Sequence, residues 1–118
     1  MPNSKITLEI ITMDKKTAAK YKARANIMKA LGHPTRLFIV DELSKGERCV
    51  CELREMVGAD ISTVSKHLAI LRNAGIVTDD KRGLQVYYTL QVPCILNSLE
   101  CVEQVLKSKI ENQLAMMQ

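Results

Sequence analysis

From residue 17 onward, apolar side chains fall at three- and four-residue steps: Ala18, Tyr21, Ala25, Met28 and Leu31. That spacing predicts a helix, and Gly32 is a suitable terminator. Ahead of it, Ile6, Leu8 and Ile10 alternate as a strand would, while Ile10, Ile11 and Met13 also fit a helical turn. Residues 1–16, readable as either strand or helix, are therefore treated as an N-terminal arm. His33-Pro34 begins a second helix, because proline at the first helical position has no N–H to leave unpaired. Leu37, Val40 and Leu43 form its stripe, widened by Phe38 and Ile39, and Gly46 ends it.

A short helix is expected over residues 50–57, with Leu53, Met56 and Val57 inward. Gly58-Ala59 makes a turn, and Asp60 is a good N-cap for a helix over residues 61–74. Ile61, Val64, Leu68 and Leu71 share one face of that helix, and Gly75 closes it. Ile76-Val77 and residues 84–90 read as strands around a charged turn, Asp79-Asp80-Lys81-Arg82-Gly83. Pro93 then starts a long helix to about residue 114, with Leu99, Val102, Leu106, Ile110 and Leu114 in register. The predicted division is an arm (1–16), a central domain (17–92) and a terminal helix (93–118).

Two short helices joined by a glycine-bearing turn and followed by a hairpin make a mainly α fold with a β-hairpin wing, a winged helix-turn-helix. Such a unit reads DNA when its second helix offers polar side chains on one face and an apolar docking face on the other. Ser62, Thr63, Ser65, Lys66 and His67 meet the first need. Their hydroxyls allow close approach, Lys66 reaches phosphate or guanine, and the helix N-terminus adds backbone N–H groups. Lys81 and Arg82 at the hairpin are placed for flanking backbone or minor groove. Each feature alone is an ordinary solvated face or turn; their order favours double-stranded DNA as partner.

The 118 residues amount to about one domain, and aromatics are only 3%, which suits a helical core of aliphatic side chains. A net charge of +4 permits a polyanionic partner without requiring one. The apolar stretch 37–40 is too short to span a bilayer, and Met-Pro-Asn-Ser-Lys lacks the organisation of a signal peptide. A cytoplasmic protein with no membrane partner is expected. Its four cysteines, Cys49, Cys51, Cys94 and Cys101, would then be thiols and not a disulfide framework.

Cys49-Val50-Cys51-Glu52 begins the third helix, where Ser or Thr at 49 would complete a capping box with Glu52. A helix N-terminus lowers a nearby thiol pKa, helped by Arg48 or Arg54, and thiolates bind soft metals. Buried apolar packing is the ordinary role of a free cysteine, but the pair at a capping position favours ligation. Cys94 and Cys101 lie seven residues apart on nearly one helix face; their rise of roughly 10 Å is too long for both to grip one ion. No Ser/His/Asp set, paired carboxylates or Gly-rich phosphate loop is visible, so no enzyme is expected.

Leu31-Gly32-His33-Pro34-Thr35-Arg36-Leu37 resembles the entry to the second helix of ArsR/SmtB-type metalloregulatory repressors. Ser62 through Leu68, Leu71 through Val77 and Gly83 through Leu90 continue the likeness, which spans about residues 24–92. The resemblance implies a homodimeric repressor joined through its first and last helices, and the apolar terminal helix suits the same symmetry. In that family Cys-Val-Cys at this place is the core of sites for trivalent arsenic, antimony and related soft ions. The resemblance thus implies Cys49 and Cys51 as ligands of an inducing ion. Arg54 stands where the arsenite type often has a third cysteine, leaving Cys94 or Cys101, from either subunit, as substitutes. Leu84 departs likewise from a basic residue after the wing glycine. Zinc sensing in the family uses Asp and His ligands on the last helix, and this one has no histidine. Two alternatives stand beside the ion sensor: a repressor of the same fold answering oxidant or reactive sulfur through its thiols, and a winged-helix protein-interaction module with structural cysteines.

Overall fold

The computed structural model describes residues 13–118, so the alternation of Ile6, Leu8 and Ile10 lies outside the described residues. Helix α1 (Lys15–Leu31) starts two residues before the apolar pattern does. Asp14 explains the extension: its carboxylate accepts the Thr17 backbone N–H at 2.8 Å and the Thr17 hydroxyl at 2.7 Å. Helix α2 (Pro34–Ser44) is capped by the His33 ring, whose Nδ1 accepts the Thr35 N–H at 3.1 Å. A two-residue strand β1 (Arg48–Cys49) leads directly into helix α3 (Val50–Val57). Gly58, in the left-handed region at φ 76°, ends α3 and turns the chain toward helix α4 (Ile61–Asn73).

The wing comprises β2 (Val77–Arg82) and β3 (Gln85–Leu90), and the fold ends in helix α5 (Ile95–Met116). The sheet is antiparallel with order β1-β3-β2. Two features depart from expectation. β1 was not foreseen, yet Arg48 pairs with Tyr88 and Cys49 with Tyr87, so the residue that opens α3 is also a strand of the wing sheet. The charged segment expected as a turn is strand instead, with Asp79 opposite Tyr88 and Arg82 opposite Gln85, leaving Gly83-Leu84 as the loop. Beyond Val77 every residue of β2 is exposed, so a solvated edge strand shows no apolar alternation to detect.

The core sits where α2, α3 and α4 meet the sheet. Ile39, Val40, Leu53, Val64, Leu68 and Leu71 are completely buried, joined by Ile76, Val77 and Tyr88. Of the α4 stripe only Ile61 stays exposed. The outer helices differ. Within α1 only Ala30 and Leu31 are buried, and α5 buries none of its residues. Val102, Leu106, Ile110 and Leu114 stay 55–57% exposed along one side of α5. No described helix is long and apolar enough to cross a membrane.

Candidate nucleic-acid interface

Helix α4 is held at its start by Asp60. One carboxylate oxygen accepts both the Thr63 backbone N–H and the Ser62 hydroxyl, each at 2.8 Å. These bonds, the Thr63 N–H foremost, lower the Asp60 pKa to about 2. Ser62, Thr63, Ser65 and Lys66 are exposed on the first turns, as the amphipathic pattern implies. His67 is not with them. One step before buried Leu68, it turns toward α2, half-buried, with its ring 4.4 Å from that of His33 and its Nδ1 3.2 Å from Arg36 Nη1. Position 67 lies at the margin of the polar face, where a helical wheel alone does not decide the direction of a long side chain.

On the wing, Lys81 is exposed, whereas Arg82 is engaged. Its guanidinium donates to both carboxylate oxygens of Glu47, at 2.6 and 2.8 Å, and through Nε to Asp80 at 2.9 Å. The same group lies 4.6 Å from the centre of the Tyr87 ring. These carboxylates raise the arginine's already high pKa. Glu47 is 35 residues away in the chain, and no local pattern pointed to it. Arg72 donates to Asp79 at 2.9 Å, and Leu84 at the loop is fully exposed.

Beside this surface lies the cysteine pair. Cys49 is the N-cap of α3 and completes the capping box with sulfur in place of oxygen. Its Sγ accepts the Glu52 N–H at 3.4 Å, and Glu52 accepts the Cys49 N–H at 3.1 Å. That N–H and the Arg48 guanidinium lower the Glu52 pKa. The expectation of free thiols at 49 and 51 is corrected: the structure joins them as a disulfide. The change from strand to helix between them brings their Cα atoms to 5.4 Å, within bridging range. Cys49 is buried and Cys51 exposed, with the Cys51 Sγ 3.4 Å from Gln85 Oε1 on β3.

Cys94 and Cys101 are exposed and free, Cys94 as the N-cap of α5. Among the described residues no group of three or more His, Cys, Asp or Glu side chains is placed to hold a metal ion. As a disulfide Cys49 and Cys51 present no thiolate to a soft ion, and among the described residues of one chain they are not grouped with a third cysteine.

Residues 33–79 match a family described as "Bacterial regulatory protein, arsR family". An uncharacterized HTH-type transcriptional regulator of Mycobacterium tuberculosis, Rv0081, is 32% identical over 99 residues, covering 83% of this chain and 87% of that one. Its crystal structure superimposes with a TM-score of 0.70 over 80% of this chain and 95% of that chain, at 33% identity. The homodimeric winged helix-turn-helix DNA-binding domain Mb0332 of Mycobacterium bovis, solved by NMR, gives 0.71 at 28% identity, covering 86% and 94%. The transcriptional repressor BigR of Xylella fastidiosa gives 0.64 at 31% identity, covering 77% and 96%.

Proposed function

Since the chain belongs to the arsR family of bacterial regulatory proteins, we propose that it is a homodimeric transcriptional repressor whose hold on operator DNA depends on the state of Cys49 and Cys51. As a winged helix-turn-helix regulator it is not an enzyme. In this reading Ser62, Thr63, Ser65 and Lys66 meet base edges and phosphate, and Lys81 follows the backbone beside the site. The uncovered apolar sides of α1 and α5 are closed by a second copy, in keeping with a homodimer among similar structures. The dimer works in the cytoplasm, where its dithiol is reduced at rest.

The observation that carries the sensory half is the position of the pair. Cys49 belongs at once to β1, paired with the wing strand β3, and to the cap of α3, the first helix of the reader. A covalent change there is felt by both DNA-facing parts. We favour oxidation as the signal, because the two sulfurs are bonded to each other and, among the described residues of one chain, no third ligand is grouped with them. With a peroxide as oxidant, one thiol takes an oxygen to give the sulfenic acid, and the peroxide leaves as water or alcohol. The second thiol then displaces water from that sulfur, forming the disulfide. Overall two electrons and two protons leave the thiols. A reduced Cys51 also has a proton to donate to Gln85 Oε1, and a disulfide has none. Release follows only if oxidation favours the DNA-incompetent dimer.

Trivalent arsenic, antimony or another soft ion is the second reading. It is favoured by two adjacent sulfurs at a helix N-terminus, and it requires Cys94 or Cys101 to complete the set. Titrating the DNA-bound protein with peroxide and with arsenite in parallel, followed by mass spectrometry of the released chain, separates them. A Cys49–Cys51 crosslink with no bound ion is expected; release by arsenite with an ion retained on the cysteines would replace oxidation by ligation. Normal release of both Cys49→Ser and Cys51→Ser would overturn either.

A further inference from the structure

Arg36 joins three helices. From α2 its Nε donates to the carbonyl of Ala30 at 2.5 Å and its Nη2 to that of Lys29 at 3.4 Å, both in the last turn of α1. Its Nη1 faces His67 Nδ1 on α4 at 3.2 Å. We propose that His67 is a positioning residue for DNA recognition: it accepts a hydrogen bond from Arg36 and thereby fixes α4 against the end of α1. This rests on the DNA-binding reading above and adds to it a role for a side chain that does not face DNA.

Donor and acceptor chemistry sets the conditions. Arginine has five N–H donors and no acceptor, so Nδ1 of His67 must present its lone pair and the ring proton must sit on Nε2. An imidazolium has donors on both nitrogens and would turn a proton and a positive charge toward a cation. The groups facing His67 reinforce this. Arg36 comes from α2, and α1 contributes the carbonyls that hold Arg36. From the α1–α2 link comes His33, whose own Nδ1 is occupied in accepting the Thr35 N–H. Burial first, then His33 and Arg36, hold the His67 imidazole below its ordinary pKa of 6.5.

The sign of the pH effect separates positioning from contact. A histidine touching phosphate gains attraction on protonation, so DNA affinity would rise as pH falls. A histidine that must stay neutral to receive Arg36 has a lower pKa in the DNA-competent arrangement than in a loosened one. Its contribution is then complete above about pH 6.5 and is lost as pH falls below it.

The test uses the full chain, reduced, with a duplex selected by the wild type at about pH 8 from a random-sequence pool, and measures Kd from about pH 8 to 5. His67→Gln keeps an oxygen to accept from Arg36 at every pH and retains His33, so the difference between the two profiles isolates residue 67. The wild type should weaken relative to His67→Gln by about tenfold toward the acid end. Nitrogen NMR of the wild type should show His67 as the Nε2–H tautomer at about pH 8, whether or not the variant folds. Parallel profiles, tighter wild-type binding in acid or an Nδ1–H tautomer would each overturn the proposal. A wild type that selects no duplex would contradict the DNA-binding reading and this role with it, whereas binding with parallel profiles contradicts this role alone.

Discussion

Arg82 on the wing is held by both carboxylate oxygens of Glu47, from the loop that precedes β1. A side chain placed for DNA by its position in the hairpin is thus already neutralised by a carboxylate two residues from Cys49. Converting Glu47 to glutamine removes that competitor. Glu47→Gln is expected to bind duplex DNA more tightly at low salt, and to steepen the dependence of log K on log salt by about one phosphate's worth per subunit, roughly 0.9 for each. Fluorescence anisotropy over a salt series measures both.

Asp60 titrates where its capping bonds dictate. Its pKa of about 2 lies below the ordinary 3.8, so the ionised form is favoured by folding. The stability it contributes is complete above about pH 3.8 and is lost as pH falls through about 2. In acid titrations followed by circular dichroism, Asp60→Ala should be less stable than wild type at neutral pH. The gap should narrow below about pH 3.8.

Leu53 is completely buried in α3, the first helix of the reader. Leu53→Ala is expected to cost about 2–5 kcal/mol. Urea unfolding of the reduced protein checks it, with the m value unchanged.

Ile110 lies in the apolar row of α5 and is 57% exposed in the single chain. Fully burying a side chain of this size is worth roughly 1.5–3 kcal/mol; covering the 57% still exposed is worth about half of that, and a two-fold interface counts it twice. Ile110→Glu should raise the dimer dissociation constant at least about tenfold, read by sedimentation equilibrium.

Much of this was legible from the chain because local chemistry carries it. Asp60 before an amphipathic run, Pro34 after His33, and the Val64, Leu68, Leu71 stripe are signals with a reach of a few residues. The cap at Cys49 was legible for the same reason, since Glu52 stands three positions on. What escaped depends on distant parts of the chain. β1 exists because Arg48 and Cys49 find Tyr88 and Tyr87 about forty residues later. The engagement of Arg82 needs Glu47, and the turning of His67 from the exposed face needs Arg36 and His33. Expecting reduced thiols applied a rule about compartments, and that rule does not register how close a strand-to-helix turn brings two sulfurs.

The most direct test is a paired measurement of Kd for one selected duplex by the same chain, first fully reduced, then oxidised with peroxide until Cys49 and Cys51 are crosslinked, with Cys51→Ser treated alike. Weaker binding by about tenfold or more after oxidation, restored by a reductant and absent in Cys51→Ser, is the expected result. Equal affinity of the reduced and crosslinked wild type would contradict control of DNA binding by this pair.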